Sequence, residues 1–426
     1  MKVAVLGSGG REHALALKIS ESPSLSELFI LPGNPGTKKL GHNIQIDINN
    51  FSSVINFCKT NSIDFVVVGP EQPLVNGIID ELKKNGIVAF GPSKNAARLE
   101  GEKSFAKQLM IENSIPTAAF NVFQKDNYSQ AVEYLKSTKY PVVIKADGLA
   151  AGKGVVIVNS FNEAKKEISN YFDKSLFGKA GEKIIIEEFM EGEEVSVFAI
   201  TDGVDYVLLP TAQDHKKIGE GDAGKNTGGM GAYSPTPFVS NAVLEQIKRS
   251  IIEPTLFAMQ KVGSKFSGCL YCGLMLTSDG PKVVEFNSRF GDPETQVVLP
   301  LIEGDFLKLL YSSSTGKIDK DSVKFSNGAC VGVVLASKGY PEHYEKGYKI
   351  YGLDQDFDND VIIFHAGTKE SNGEIITNGG RVLNVIVKSK NNDLTYCKKR
   401  CYEVIQTIYF DGMYYRKDIS DKAFKH

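Results

Sequence analysis

Over its first 90 residues the chain alternates short apolar runs with amphipathic helical stretches, and this alternation restricts its start to one kind of architecture. Residues 2–6 read as a buried strand. They run into Gly7-Ser8-Gly9-Gly10-Arg11-Glu12-His13 and then a helix whose apolar face carries Ala14, Leu15, Leu17 and Ile19. Further strands are expected at 28–31, 65–68 and 88–90, the last following a helix over 74–84. Strand and helix in strict turn predict a doubly wound α/β unit. A chain of 426 residues is too long for one core, so this unit is the first of several domains.

The glycine turn after the first strand invites comparison with a dinucleotide site, but that pattern needs glycine where Glu12 stands. A nicotinamide cofactor is therefore not expected. The turn still offers backbone N–H groups at a helix start with Arg11 beside them, and remains a good place for a polar ligand. Gly69-Pro70-Glu71 follows the third strand at its C-terminal end, where ligands of open α/β sheets bind, and Glu71 is a candidate for sugar hydroxyls.

A formal net charge of −2 leaves no footprint for nucleic acid or an acidic membrane surface. No run approaches the roughly 20 apolar residues of a membrane helix, and the apolar start is too short for a signal peptide, so a cytoplasmic protein is expected. Six scattered cysteines suit a reducing compartment. Cys269 and Cys272 lie an odd number of residues apart on a strand and so face opposite ways, which argues for packing over metal binding.

Four stretches further along carry chemistry. Residues 140–145 form a short strand ending in Lys145, followed by the loop 146–154, whose glycines include Gly152 and Gly154. Small residues bracketed by lysines can fold over phosphates, although a strand rather than a helix follows, so this is no Walker loop. Residues 183–190 make an apolar strand ending in Glu187, Glu188, Phe189 and Met190, with Glu194 soon after. From Gln213 to Pro235 runs a glycine-rich stretch of more than 20 residues without hydrophobic pattern, expected to be a loop that works on a ligand. Last, strands at 267–277 and 281–287 lead to Val283-Val284-Glu285-Phe286-Asn287-Ser288-Arg289-Phe290-Gly291-Asp292-Pro293-Glu294.

Strand alternation puts Glu285 and Asn287 on one face, with Val284 and Phe286 on the other, and Arg289 follows on the polar face if the strand persists. A carboxylate and an amide oxygen suit Mg²⁺, which takes one or two protein oxygens and fills its shell with phosphate. A long helix over 241–260 precedes these strands. Residues 312–328 read as a polar linker, with strands at 329–336 and after 377–381 and a final helix over 393–408.

The loop 145–154, the stretch ending Asn226-Thr-Gly-Gly-Met-Gly-Ala-Tyr-Ser-Pro235 and the Glu285–Glu294 motif together resemble the ATP-grasp superfamily. Within it the whole chain is most similar to the glycinamide ribonucleotide synthetase family, the phosphoribosylamine–glycine ligases. That resemblance implies an ATP-grasp fold of mixed α/β and α+β domains: a biotin-carboxylase-like N-terminal α/β domain at 1–102, an ATP-grasp domain at 103–315 with a lid at about 118–193, and a small C-terminal α+β domain at 325–426. It implies a cytoplasmic monomer acting on ATP, glycine and 5-phosphoribosylamine, with Mg²⁺ or Mn²⁺ as cofactor and no nucleic-acid or membrane partner. Glycine would pass through a glycyl phosphate to glycinamide ribonucleotide.

Carried onto this sequence, Lys103 and Lys145 would contact ATP phosphates, with Gly152 and Gly154 in the closing loop. Glu187, Glu188, Phe189 and Met190 would border adenine, and Glu194 the ribose. Glu285 and Asn287 would hold the metal. Arg289 and Asp214 would take glycine's carboxylate and ammonium, and with Lys145 form the catalytic set. Gly10, Glu71, Gly291, Asp292 and Arg381 would serve the substrates, Arg381 through the phosphate of phosphoribosylamine. Ser288 stands where relatives often carry Ala or Cys, a change expected to leave the chemistry alone, and Lys225 where many have Pro, expected to loosen the glycine loop. The strand region Tyr271-Cys-Gly-Leu-Met275 lacks the further metal-binding carboxylate of many ATP-grasp ligases. The rival readings are another ATP-grasp carboxylate–amine ligase and a non-catalytic nucleotide-binding regulator; Lys145, Glu285 and Asn287 together favour turnover.

Overall fold

The computed structural model describes residues 1–150, 154–173 and 181–425. Its first sheet is five-stranded and parallel, in the order His42–Asn43, Glu27–Pro32, Lys2–Gly7, Phe65–Val68, Val88–Phe90. Alternate residues of the central strands feed two separate cores: Val3 and Val5 pack with the helix residues Ala14, Leu15 and Ile19, while Ala4 and Leu6 pack with Val54, Leu74 and Ile78. A strand buried on both faces must be apolar at every position, which is why these runs show no alternation. The helix expected over 74–84 is two, Glu71–Asn76 and Ile78–Lys84, broken at Gly77, whose φ of +96° no side-chain-bearing residue adopts cheaply.

Two four-stranded antiparallel sheets follow. The first, in the order Phe120–Gln124, Lys183–Glu188, Val142–Ala146, Val155–Val158, is backed by helices Tyr128–Ser137 and Phe161–Asp173. The second runs Tyr206–Leu208, Glu193–Thr201, Gly268–Thr277, Gly280–Asn287. The helical stretch covering it passes from Asn241–Ile247 through a π-helical turn, Lys248–Ile252, into Glu253–Lys261.

Two expectations change here. The glycine-rich stretch is not one open loop: Gln213–Asp214 and Gly231–Ser234 pair with each other, Gly231–Ser234 joins Ala329–Ser337, and a hairpin of Lys217–Gly219 with Ala223–Asn226 projects between them. Its first and last strands thus belong to the C-terminal sheet, which continues through Arg381–Ser389 and Val361–His365 and is backed by helix Leu394–Ile405, while the hairpin is a separate two-stranded sheet. Short strands interrupted by glycine give no periodic signal, hence the misreading. The polar linker likewise contains a strand, Val323–Phe325, paired with Ile302–Gly304, and helix Phe306–Ser314 occupies its start.

Candidate functional site

The strand Gly280–Asn287 carries a bulge: Gly273 faces Glu285 while the next residue, Leu274, faces Val283, so Val284 is the extra residue. Val283 and Phe286 consequently enter the core, and Val284, expected beside Phe286, does not. A bulge redirects side chains. Here it turns the Val284 carbonyl toward Lys145, whose Nζ donates to it at 3.0 Å. Glu285 and Asn287 still project from one face, and among the described residues Glu285 makes no side-chain hydrogen bond or ion pair. Asn287 Oδ1 receives only a long bond from Arg289 Nη2, 3.4 Å. Two uncommitted hard oxygens fit a divalent cation such as Mg²⁺. Among the described residues no cluster of three or more His, Cys, Asp or Glu could hold one instead.

On one side of this pair lies a lysine cluster. Lys145 and Lys107 both reach Glu187 Oε2, at 2.9 and 3.1 Å, and all three side chains are buried. Lys107 also donates to Thr117. Burial lowers the Lys107 ammonium to about 8 against the pull of Glu187. Lys103 donates to the Gly148 carbonyl at 2.8 Å; burial lowers its pKa, with Glu285 opposing and Lys145 adding to the fall. Asp147 fixes the start of this loop by accepting from the Ser104 amide and hydroxyl and pairing with Lys183. Gly154 accepts from the Ala146 amide at 2.8 Å, closing the loop's far end; Gly152 lies outside the described residues. Glu187 proves to be a lysine partner, while Glu188 accepts from the Ala119 amide, Phe189 is exposed and Met190 half-buried.

On the other side the glycine-rich stretch delivers Asp214. Lys216 bridges Asp214 Oδ1 (2.7 Å) and Glu194 Oε2 (2.6 Å). Burial resists the Lys216 charge, but the two carboxylates more than offset it and hold its pKa well above the ordinary lysine value. Burial pushes the Asp214 carboxyl up to about 7; Lys216 opposes this, and the charges of Glu294 and Glu194 add to it. Glu294 is itself buried and accepts from Tyr271 and Ser196 hydroxyls at 2.9 and 3.1 Å. Gly291, just before it, packs directly against the Glu294 carboxylate.

Arg289 sits between two acids, its Nη2 3.0 Å from Glu100 Oε1 and its Nε 3.3 Å from Glu71 Oε2. The second contact is an ion pair without hydrogen-bond alignment, since Nε has no hydrogen-bond partner. Burial favours the neutral form of Glu71, yet Arg289 and Arg11 hold its carboxyl down at about 2. Glu71 is thus committed to arginines as well as placed near the glycine turn. Glu100 is fixed in turn by the Ser288 amide and hydroxyl, both 2.8 Å from its Oε2. The Ser288 hydroxyl thus contacts the acid that pairs with Arg289. Lys225 lies in the hairpin and pairs with Glu342, both side chains being exposed.

Arg381 pairs with Asp292 Oδ2 (2.9 Å) and donates to the carbonyls of Asp292 (2.8 Å) and Gly228. Asp292 Oδ1 accepts from Gln296 Nε2 at 2.7 Å. Gly10, the first residue of helix Gly10–Ser20, packs against Gln296 and Asn384. The charged residues anticipated for ATP phosphate, metal, glycine and phosphoribosylamine are thus linked by mutual electrostatic interactions: Glu285 with Lys103 and Arg289, Asp214 with Lys216 and Glu294, and Arg381 with Asp292 and Arg289. Lys107, Lys216, Glu100, Glu294, Gln296 and Asn384 were not anticipated. Two left a sequence signal: Lys107 stands four residues after Lys103, on the same helix face, and Asn384 interrupts an apolar strand.

Family models match most of the chain: phosphoribosylglycinamide synthetase N domain over residues 1–100, its ATP-grasp (A) domain over 101–295 and its C domain over 330–422. A phosphoribosylamine–glycine ligase of Caldanaerobacter subterraneus is 44% identical over 420 residues, covering 99% of each chain. The crystal structure of a phosphoribosylamine–glycine ligase from Thermotoga maritima superposes with a TM-score of 0.85 at 34% identity, covering 99% of this chain and 100% of that one. A biotin carboxylase domain of Hydrogenobacter thermophilus 2-oxoglutarate carboxylase, solved with MgADP and bicarbonate, gives a TM-score of 0.73 at 15% identity over 97% of this chain and 91% of its own, a likeness of fold.

Proposed function

The chain belongs to the phosphoribosylglycinamide synthetase family and is a ligase of purine biosynthesis joining glycine to 5-phosphoribosylamine; from that premise we propose which of its residues perform the reaction. The observation that carries the reading is the Lys145 ammonium on the Val284 carbonyl, one residue before Glu285. It ties the end of the phosphate-loop strand to the strand bearing the two hard oxygens.

Lys103 and Lys145 bind the ATP phosphates, and Glu187 holds Lys145 at its station beside them. Adenine lies against the strand end at Glu187–Met190, with Glu194 reaching the ribose. Arg289, aimed by Glu100 and Glu71, takes the glycine carboxylate, and Asp214 takes its ammonium. Glu285 and Asn287 hold Mg²⁺, replaceable by Mn²⁺, which when bound offsets charge on the phosphates. So arranged, a glycine carboxylate oxygen attacks the γ-phosphorus and ADP leaves. The amine of phosphoribosylamine, held by Gly10, Asp292 and Arg381, then attacks the acyl carbon; phosphate departs with the oxygen that glycine supplied, and the amine loses a proton. Proximity does much of the work, because three reactants are held along one run of side chains.

The proposed site draws on one chain alone, so a monomer suffices for the reaction. Its phosphorylated substrates do not cross membranes unaided, which supports a cytoplasmic one. Incubating the protein with ATP, Mg²⁺, glycine and freshly made phosphoribosylamine tests the reading. Glycinamide ribonucleotide should appear by mass spectrometry, and omission of any one substrate should abolish it. ADP release that needs a different acceptor would point to another ATP-grasp carboxylate–amine ligase.

A further inference from the structure

Asn384 lies in the strand Arg381–Ser389, where it pairs across the sheet with Val334 and Phe364. Its neighbours Leu383 and Val385 belong to the C-terminal core and Ile386 to the core under the first domain. An amide here is 2% exposed, and neither its Nδ2 nor its Oδ1 finds a hydrogen-bond partner among the described residues. Gln296, fully buried beside it, spends Nε2 on Asp292 and leaves Oε1 equally unpartnered. Buried amide groups are almost always paired, so three orphaned polar atoms in one place mark unmet hydrogen-bonding capacity that a ligand's polar groups could fill.

Both amides are aimed at the start of helix Gly10–Ser20. A Cβ at Gly10 would lie 2.6 Å from Asn384 Nδ2 and 2.7 Å from Gln296 Nε2, so glycine is what lets them approach the helix terminus. Gly9, the N-cap, supplies no capping side chain, and Asp292, bridged to both Gln296 and Arg381, borders the same spot. The free atoms are one donor and two acceptors. A phosphate oxygen only accepts and an ammonium only donates, so neither serves the set; hydroxyls do both.

We propose that Asn384 and Gln296 are the subsite for the ribose hydroxyls of phosphoribosylamine and set the enzyme's preference for a ribosyl over a 2-deoxyribosyl amine. The assignment rests on phosphoribosylamine occupying the region of Gly10, Asp292 and Arg381. A site built to hydrogen-bond a hydroxyl discriminates strongly against the analogue that lacks it, because its own polar groups are then left unpaired.

The test compares amines formed from ammonia with ribose 5-phosphate and with 2-deoxyribose 5-phosphate, each assayed by product mass at varied concentration. Wild type should favour the ribosyl amine by on the order of 10⁴-fold in kcat/KM. Asn384→Leu and, independently, Gln296→Met should reduce that preference by at least about tenfold, through a higher KM for the ribosyl amine, with KM for ATP and glycine unchanged. Equal turnover of both amines by wild type overturns the proposal, as do equal losses on both amines in the variants. Failure of wild type to make glycinamide ribonucleotide at all would sink the parent reading instead.

Discussion

Lys145 Nζ lies 2.9 Å from Glu187 Oε2, and Lys107 reaches the same oxygen from its other side. Two buried cations share one buried anion, which leaves a local excess of positive charge beside the proposed phosphate site. Removing the shared carboxylate should strand both ammoniums. Glu187→Gln is expected to cost about 3–5 kcal/mol of stability, read by urea denaturation. ATP supplies negative charge near Lys145, so it should raise the variant's midpoint more than it raises that of wild type. An equal rise in both would remove Lys145 from the phosphate site.

Arg289 is placed by acids on two elements, Glu100 and Glu71, and its function depends on fork geometry as well as charge. Arg289→Lys should raise KM for glycine at least about tenfold, with a melting temperature near that of wild type. Arg289→Met should in addition be destabilised by about 3–5 kcal/mol, because it leaves Glu100 buried without its cation. Steady-state kinetics and thermal melts on the two variants check both halves. A normal glycine KM in Arg289→Lys would assign the carboxylate to another group.

The carboxyl of Asp214 is raised to about 7, burial being the main cause. Only its ionised form can hold the glycine ammonium. KM for glycine should therefore fall as pH rises through about 7, and Asp214→Asn should raise that KM and flatten the profile. Initial rates from pH 6 to 8.5 at saturating ATP would show it; a profile unchanged in the variant would detach Asp214 from glycine.

The parts of this site carried on regular elements were legible in the sequence. Glu285 and Asn287 are two residues apart on a strand, and Lys145 ends an apolar run, so period and position place them without knowledge of tertiary contacts. The bulge at Val284 was not legible, because register depends on the partner strand, here Gly273 and Leu274. Nor were the commitments of Glu187 and Glu71. Each looks like an acid at a strand end, and only packing from distant segments turns one into the lysines' counter-ion and the other into a brace for Arg289 and Arg11. The Ser288 contact was hidden for the same reason: its partner, Glu100, is 188 residues away.

Glu285 makes no side-chain hydrogen bond or ion pair among the described residues, so its loss should leave the fold intact. Glu285→Ala is expected to lower turnover by roughly 100-fold or more with an unchanged thermal melt. The Mg²⁺ concentration giving half-maximal activity should move upward, because one of the two protein oxygens is lost. Near-normal turnover at saturating Mg²⁺ would take the metal away from this residue.

Phosphorylation of the glycine carboxylate is the step on which every residue role above depends. Glycine labelled with ¹⁸O in both carboxylate oxygens, incubated with the enzyme, ATP, Mg²⁺ and phosphoribosylamine, tests it directly. One labelled oxygen should appear in each inorganic phosphate released, and one should remain in the glycinamide ribonucleotide. Unlabelled phosphate, with label retained or lost elsewhere, would rule out a glycyl phosphate.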